Sequence, residues 1–369
     1  MTTQSLRFDA VSEARPGAKW AARWARSWPS YEAWFVARGG DNGPSRDTCE
    51  AALRKYMPEL APVHAKLVQL AGGSDRAARF LSTWCPPAYL GGCSLACAKQ
   101  GDEIRLVRNY DLSPELNEGL LLRSEWCGRP VMGMVEFLWG LSDGINEAGL
   151  SIALAYGGRQ ETGVGFGITT ILRYVLETCD TVEDALRVFN RVPSHMPYNI
   201  VVADAKGALA SVELYPGGGA KVQPQLIATN HQSDGSSPDR AVFTRTFERA
   251  EHLEKTMQIE GDPKKLAQLF KHEPLRQDRY EEGFGTLFTA EYNPALRSLI
   301  LHWQGSAWPQ TLVDFEEGQK VVYYGDSRGK HDISTILSDG IDWHQIGLAY
   351  AKGQPPDWRS IATFWKRVA

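Results

Sequence analysis

Cysteine is scarce in this sequence, with six in 369 residues, and Cys49, Cys85, Cys93, Cys97, Cys127 and Cys179 keep no regular spacing. That excludes a disulfide-stapled scaffold and fits a reducing compartment with mostly buried thiols. Long apolar runs are missing too: nothing approaches the ~20 residues that a membrane-spanning helix needs. The opening MTTQSLRFDAVSEARPGAKW has neither an apolar h-region nor a small-residue cleavage site. The closing FWKRVA matches no common retention or peroxisomal signal, so the expected location is the cytoplasm. No Lys/Arg block stands out against a net charge of −4, so neither nucleic acid nor an anionic membrane is an expected partner. The eight histidines show no zinc spacing. Cys93 and Cys97 on an extended strand would stand roughly 13 Å apart, too far to share one ion. No internal repeat or low-complexity tract interrupts the chain.

What is present is an ordinary globular balance, 43% apolar and 23% charged, long enough for one large domain or two smaller ones. Residues 1–84 are expected to be mostly helical. Trp20, Trp24 and Trp28 recur at helical spacing as a core stripe, and Pro58 and Pro62 divide the apolar pattern of 49–72. The pattern changes near residue 91. CSLACAKQ, a Gly101-Asp102 turn and EIRLVRNYDL predict a β-hairpin, followed by strands in EGLLLRSEW, MGMVEFLWG and GLSIALAYGG. Helices are expected at 167–179 and 181–192, the second opened by a Thr181/Asp184 capping box. A hairpin turning near Lys206-Gly207, a strand in KVQPQLIATNH, and helices near 241–256 and 262–271 come next. A hairpin over 285–303, a strand in KVVYYG and a helix near 355–367 complete the pattern. Strands joined by hairpins imply antiparallel sheets with helices covering them.

The chemistry-bearing residues gather around the break. Gly91 and Gly92 precede Cys93, and glycines permit close approach of a thiol to the preceding carbonyl. Attack by Cys93 on Gly92 would free an N-terminal cysteine, whose α-amine titrates near neutrality and serves as base to its own thiol. By itself Gly-Gly-Cys more often describes a core cysteine. Arg108 would favour a thiolate and Asp111 would hold an amine, although a strand-end ion pair explains both. Asn146 in DGINEAGL and Asn230 in ATNH are candidate N–H donors to an oxyanion, and plain turns explain them as well. Gly140-Leu141-Ser142-Asp143-Gly144 fits a nucleophile elbow that would make Ser142 catalytic, but a turn and a strand are expected after it, not a helix. Gly163, Gly165 and Gly167 lack the spacing of a dinucleotide loop.

Taken in order, GC at 92–93, RNYD at 108–111, DGINEAGL at 143–150, ATNH at 228–231 and TLFTAEYNPALRSLIL at 286–301 resemble the autoproteolytic penicillin acyltransferase group. More distantly, the set is similar to choloylglycine hydrolases and acid-ceramidase-type amidases. The resemblance implies an α+β fold, a four-layer αββα sandwich of two stacked antiparallel sheets. It implies a precursor cut into a helical small chain, 1–92, which stays bound to the catalytic large chain, 93–369. It further implies amide hydrolysis or acyl transfer on a small-molecule amide or acyl substrate, acyl-coenzyme A included, without a metal or organic cofactor. By position, Cys93 is the nucleophile, Arg108 and Asp111 orient and tune it, and Asn146 and Asn230 stabilise charge. An arginine is expected after the second Asn: Arg245, with Arg249 close behind. Tyr110, Trp139, Tyr156 and Phe166 are candidates for a substrate pocket, with core packing the competing explanation. Ser94, Leu95 and Gly91 depart from the family pattern, which often has two hydroxyl residues after the nucleophile and an Asp two before it. A non-cleaving binding protein of the same fold is the alternative.

Overall fold

The computed structural model describes residues 4–89 and 91–325. The first piece of chain forms strand β1 (Gln4–Ser12) and helices α1 (Ala18–Ala37), α2 (Arg46–Tyr56), α3 (Ala61–Leu70) and α4 (Asp75–Ser82). The second opens with β2 (Gly92–Gln100), β3 (Glu103–Leu112), β4 (Leu120–Ser124), β5 (Val131–Glu136), β6 (Gly140–Asn146) and β7 (Ser151–Tyr156). Then come α5 (Ile168–Thr178), α6 (Val182–Arg191), β8 (Tyr198–Ala203), β9 (Leu209–Leu214), β10 (Ala220–Gln223) and β11 (Ile227–Ala228). The last stretch holds α7 (Ala241–Thr244), α8 (Thr246–Glu260), α9 (Pro263–Leu269), β12 (Asp278–Arg279), β13 (Phe284–Asn293), β14 (Ser298–Trp303), β15 (Ser306–Thr311) and β16 (Gly318–Tyr324).

The strands form two sheets. One has nine strands in the order β10-β9-β8-β7-β6-β5-β4-β1-β16; the other runs β11-β2-β3-β13-β14-β15, with β12 added beside β13. All pairings are antiparallel except β1 with β4. Period-two side chains from both sheets meet in one apolar layer, in which Phe8, Leu121, Met132 and Val201 face Cys93, Leu95, Leu106 and Phe288. Helices α1 to α6 cover the outer face of the larger sheet through a core containing Trp24, Leu53, Trp139 and Leu172. Helices α8 and α9 cover the smaller sheet through Leu253, Leu266 and Phe270. This is the expected four-layer αββα sandwich.

Several local expectations hold for visible reasons. The tryptophans of α1 stack at 5.4 and 4.3 Å, with Trp20 and Trp24 buried. Thr181 and Asp184 form the reciprocal capping box. Others need correction. Residues 4–12 are a strand, not part of a helical segment: Phe8 and Ala10 point inward at period two, and β1 lies between β4 and β16. KVQPQLIATNH is split into β10 and β11, which belong to different sheets. Gly140–Asn146 is itself a strand; a turn at Phe137 to Trp139 precedes it, the expected turn follows only at 147–149 and leads into β7, and β15 was unforeseen. The expected helix near 355–367 lies outside the described residues. Among the described residues no helix is long and apolar enough to cross a membrane.

Candidate active site

Cys93 sits second in β2, beside Tyr110 of β3, in the middle of the sandwich and 2% exposed. Strand alternation decides what each neighbour meets. Cys93, Arg108 and Tyr110 turn toward the layer between the sheets. There Arg108 Nη2 lies 3.1 Å from Cys93 Sγ, Nη1 bonds Asp143 Oδ2 at 2.7 Å, and the guanidinium stacks 4.3 Å from the Tyr110 ring. Asp143 is held in turn by Tyr292 Oη at 2.8 Å. Ser94 and Asp111 turn to the helix-covered face and meet Arg249 of α8.

Arg249 is fully buried and fans across five acceptors, its Nε bonding the Thr244 carbonyl at 2.8 Å. Its Nη1 bonds the Cys93 carbonyl at 2.7 Å and Ser94 Oγ at 2.8 Å and reaches Asp111 Oδ2 at 3.4 Å; its Nη2 bonds Asn230 Oδ1 at 2.7 Å. Asn230 Oδ1 also accepts from the backbone N–H of Cys93 at 3.2 Å, while its Nδ2 donates to the Tyr156 carbonyl at 2.9 Å. Thr286 donates to Asp111 Oδ1 at 2.7 Å. The sulfur, amide nitrogen and carbonyl oxygen of Cys93 thus have three different polar partners.

Burial sets the electrostatics. It pushes the Cys93 thiol up to about 11, against the pull of the Arg108 guanidinium. It raises the Asp111 carboxyl, opposed by Arg249 and the Thr286 hydroxyl. For Arg108 burial works against the charge, yet Cys93 and Asp143 hold its pKa above the usual arginine value.

The residues anticipated from sequence divide cleanly. Cys93, Arg108, Tyr110, Asp111 and Asn230 come together. Arg245 does not: it lies on the surface, paired with Glu248 and Glu273, because its left-handed backbone (φ 52°) places it before α8 begins. Arg249, one turn into that helix, occupies the site. Asn146 spends both Nδ2 protons on the Leu176 and Cys179 carbonyls and accepts from Leu150 N, so it pins the C-terminal end of α5 and has no proton left for an oxyanion. Trp139 is a core residue whose indole N–H bonds the Leu81 carbonyl, and Phe166 packs against Trp84 at 4.6 Å. Tyr156 does line a depression, with Gly92, Asp111, Asn230, Arg240 and Phe284. At about 40 Å³ this cavity has room for a water or so, far below an acyl chain. Ser142 is buried within β6, its hydroxyl turned toward the Met134 carbonyl, and no elbow forms there. His231 supports the Asn230 loop through the Thr246 hydroxyl at 2.9 Å. Gly163 and Gly165 pack tightly on the backbone at Gly217 and Ser194, leaving no phosphate cradle. Asp143 went unrecognised although it stands inside DGINEAGL; the inward-facing arginine at 108, which needs a carboxylate, was the available signal.

Solved structures of similar fold share little sequence with this chain. A Caenorhabditis elegans N-acylethanolamine-hydrolyzing acid amidase ortholog is 20% identical, covering 55% of this chain and 94% of its own, with a TM-score of 0.42. Penicillin V acylase from Agrobacterium tumefaciens is 15% identical over 60% of this chain and 86% of its own, TM-score 0.43. A mutant form of the conjugated bile acid hydrolase from Clostridium perfringens is 12% identical over 66% of this chain and 99% of its own, TM-score 0.42. No curated protein sequence matches the chain. Residues 97–308 match the family described as acyl-coenzyme A:6-aminopenicillanic acid acyl-transferase, a span that begins just past Cys93. With more than half its length inside that match and two antiparallel sheets between helices, the chain belongs to the acyl-coenzyme A:6-aminopenicillanic acid acyl-transferase family, whose N-terminal-nucleophile fold carries hydrolase and acyltransferase chemistry at amide bonds.

Proposed function

We propose that the protein cuts itself between Gly92 and Cys93 and then uses Cys93 as the nucleophile of an amidohydrolase or acyltransferase. One observation carries this reading: the sulfur, nitrogen and carbonyl of Cys93 are engaged by Arg108, Asn230 and Arg249 respectively. Any buried residue needs partners for its N–H and carbonyl, but a merely packed core cysteine needs no guanidinium on its sulfur and no buried Asn and Arg side chains at its backbone groups.

In the first reaction the sulfur attacks the Gly92 carbonyl carbon, the C–N bond breaks, and the departing nitrogen takes the thiol proton. Water then hydrolyses the thioester, leaving a Gly92 carboxylate and a free amine on Cys93. In the second, that amine accepts the thiol proton, the thiolate attacks a substrate amide, and the ammonium returns the proton to the leaving amine. Water, or an acceptor amine, takes the acyl group from sulfur. Arg108 favours the thiolate. Asn230 Oδ1 orients the new amine, and Arg249 ties Asn230, Asp111 and the Cys93 carbonyl together. Arg249 takes the place anticipated for Arg245.

The small chain remains bound because β1 is an interior strand of the nine-stranded sheet. The partner is a small amide or acyl substrate. Intact mass under denaturing conditions tests the reading: two polypeptides are expected, the larger beginning at Cys93. Cys93→Ala should give one chain without activity. An active preparation containing only the unbroken chain overturns it.

A further inference from the structure

The strand pair β5–β6 closes through Phe137, Leu138 and Trp139, and both Phe137 (φ 55°) and Leu138 (φ 68°) are left-handed without being glycine. Such backbone costs on the order of 1–3 kcal/mol per residue and persists where the surroundings dictate it. What this turn presents is Glu136 beside Phe137. Glu136 Oε1 is buried and has no hydrogen-bond partner among the described residues. Arg108, the nearest cation, acts on Glu136 through space but does not bond it: its Nη groups serve Asp143 and Cys93, and its buried Nε has no partner among the described residues.

The space next to Glu136 is filled by the chain itself. Tyr89 lies on the acyl side of the Gly92–Cys93 bond. Its ring packs 4.7 Å from Phe137 and 6.1 Å from Tyr198, and its buried hydroxyl lies beside that of Tyr198 without a well-formed hydrogen bond among the described residues. Cys85 anchors this segment upstream through its N–H to the Gly165 carbonyl. Tyr89 is therefore tethered at both ends only until the junction is cut. Once it withdraws, a carboxylate with a free oxygen remains among the rings of Phe137, Tyr198 and Tyr110, the last of which stands opposite Cys93. Aromatic faces and a desolvated carboxylate together select an organic cation.

We infer that Tyr89 plugs the acyl pocket of the uncut chain and that Glu136 selects substrates whose acyl chain ends in a protonated amine. The inference rests on Cys93 being the nucleophile. It assigns Glu136 to binding, with the amide cut at the opposite end of the acyl chain.

Self-cleaved protein, verified by intact mass, is assayed on a matched pair, the para-nitroanilides of 5-aminopentanoic and hexanoic acid, in which ammonium replaces methyl. The aminopentanoyl compound should have a kcat/KM about tenfold higher or more, mostly through KM. Glu136→Gln should bring the ratio toward one and Glu136→Asp should keep part of it. In wild type the ratio should shrink as pH falls through about 7, where Glu136 takes up a proton while the aliphatic amine stays charged. The groups facing Glu136 are Cys93 on β2, Arg108 and Tyr110 on β3, Asp143 on β6, Glu118 before β4, Tyr198 on β8 and Tyr31 on α1, with Tyr89 joining them until it withdraws. The wild-type pH series carries the test even where Glu136→Gln fails to self-cleave. Equal or better use of the hexanoyl compound, turnover of neither by fully cleaved protein, or an equal loss on both in Glu136→Gln overturns the inference. Absence of cleavage at 92/93 would instead count against the nucleophile reading.

Discussion

Gly92 faces the ring of Phe284 so closely that a Cβ at position 92 would lie 2.2 Å from the ring's Cε2, with the Asp111 carbonyl 3.2 Å away on another side. The ring has little freedom, because Phe243 packs 5.2 Å from it and the Arg279 guanidinium 5.2 Å from its centroid. The glycine before Cys93 is thus required by packing as well as by any chemistry at its carbonyl. Gly92→Ala should displace the junction at a cost of about 1–3 kcal/mol, the usual range for overpacking, and slow self-cleavage. Adding Phe284→Ala should restore part of the rate. Time-resolved gel analysis of freshly expressed protein checks this; a Gly92→Ala chain that cleaves like wild type contradicts it.

Arg249 and Arg245 make a controlled comparison. Arg249→Met leaves Asp111 buried without its cation and removes the tie to Asn230, a loss of about 3–5 kcal/mol for breaking a buried pair. Arg245→Ala removes only exposed partners, worth about 0–1 kcal/mol. Denaturant midpoints should therefore fall sharply for the first variant and barely for the second. Intact mass should show uncut chain only for Arg249→Met.

Much of this site is legible in the sequence, and the limits have physical causes. Cys93 and Asp111 stand near strand ends, Arg108 within the same hairpin and Asn230 just past a strand, where a register can be read from the alternation, and all four meet in space. The choice between Arg245 and Arg249 needed the helix start, since a spacing of four places two residues on one face only when both are helical. Asn146 shared a motif with the site but serves a helix end, a distinction set by α5 packing that no local pattern encodes. Strand β1 was lost because its outer face carries exposed and partly exposed residues, while Phe8 and Ala10 carry the inward signal at only two positions. The pairing of β1 with both β4 and β16 is long-range and invisible to periodicity.

That pairing makes a prediction about the cut protein. β1 is bonded to β16 from Gln4↔Tyr324 to Ala10↔Gly318 and to β4 from Asp9↔Leu120 to Ser12↔Arg123. The helices that follow bury Trp20, Trp24, Leu53 and Phe80 against the large chain's core. The two chains should co-elute on native size exclusion and separate only in denaturant. Deleting residues 1–12 should open edges on β4 and β16 and yield aggregated protein, as unprotected strand edges do. Recovery of a soluble, active large chain free of its partner would refute this.

Glu136 predicts a pH-dependent stability with a defined sign. Burial raises its carboxyl to about 7, against the pull of Arg108 and Tyr110, while an unfolded glutamate titrates at about 4.3. Below the lower value both states hold the proton and no penalty exists. As pH rises toward 7 the unfolded chain ionises first, so the native state loses stability on the order of 1–3 kcal/mol, and above 7 the loss levels off. Glutamine imitates the protonated carboxyl at every pH. In the uncut Cys93→Ala background, where Tyr89 stays in place, Glu136→Gln should match its parent near pH 4 and exceed it increasingly up to about pH 7. Urea midpoints across that range measure the difference directly. A gap that is constant with pH, or one that closes as pH rises, would mean that the Glu136 carboxyl is not the desolvated group it is drawn to be.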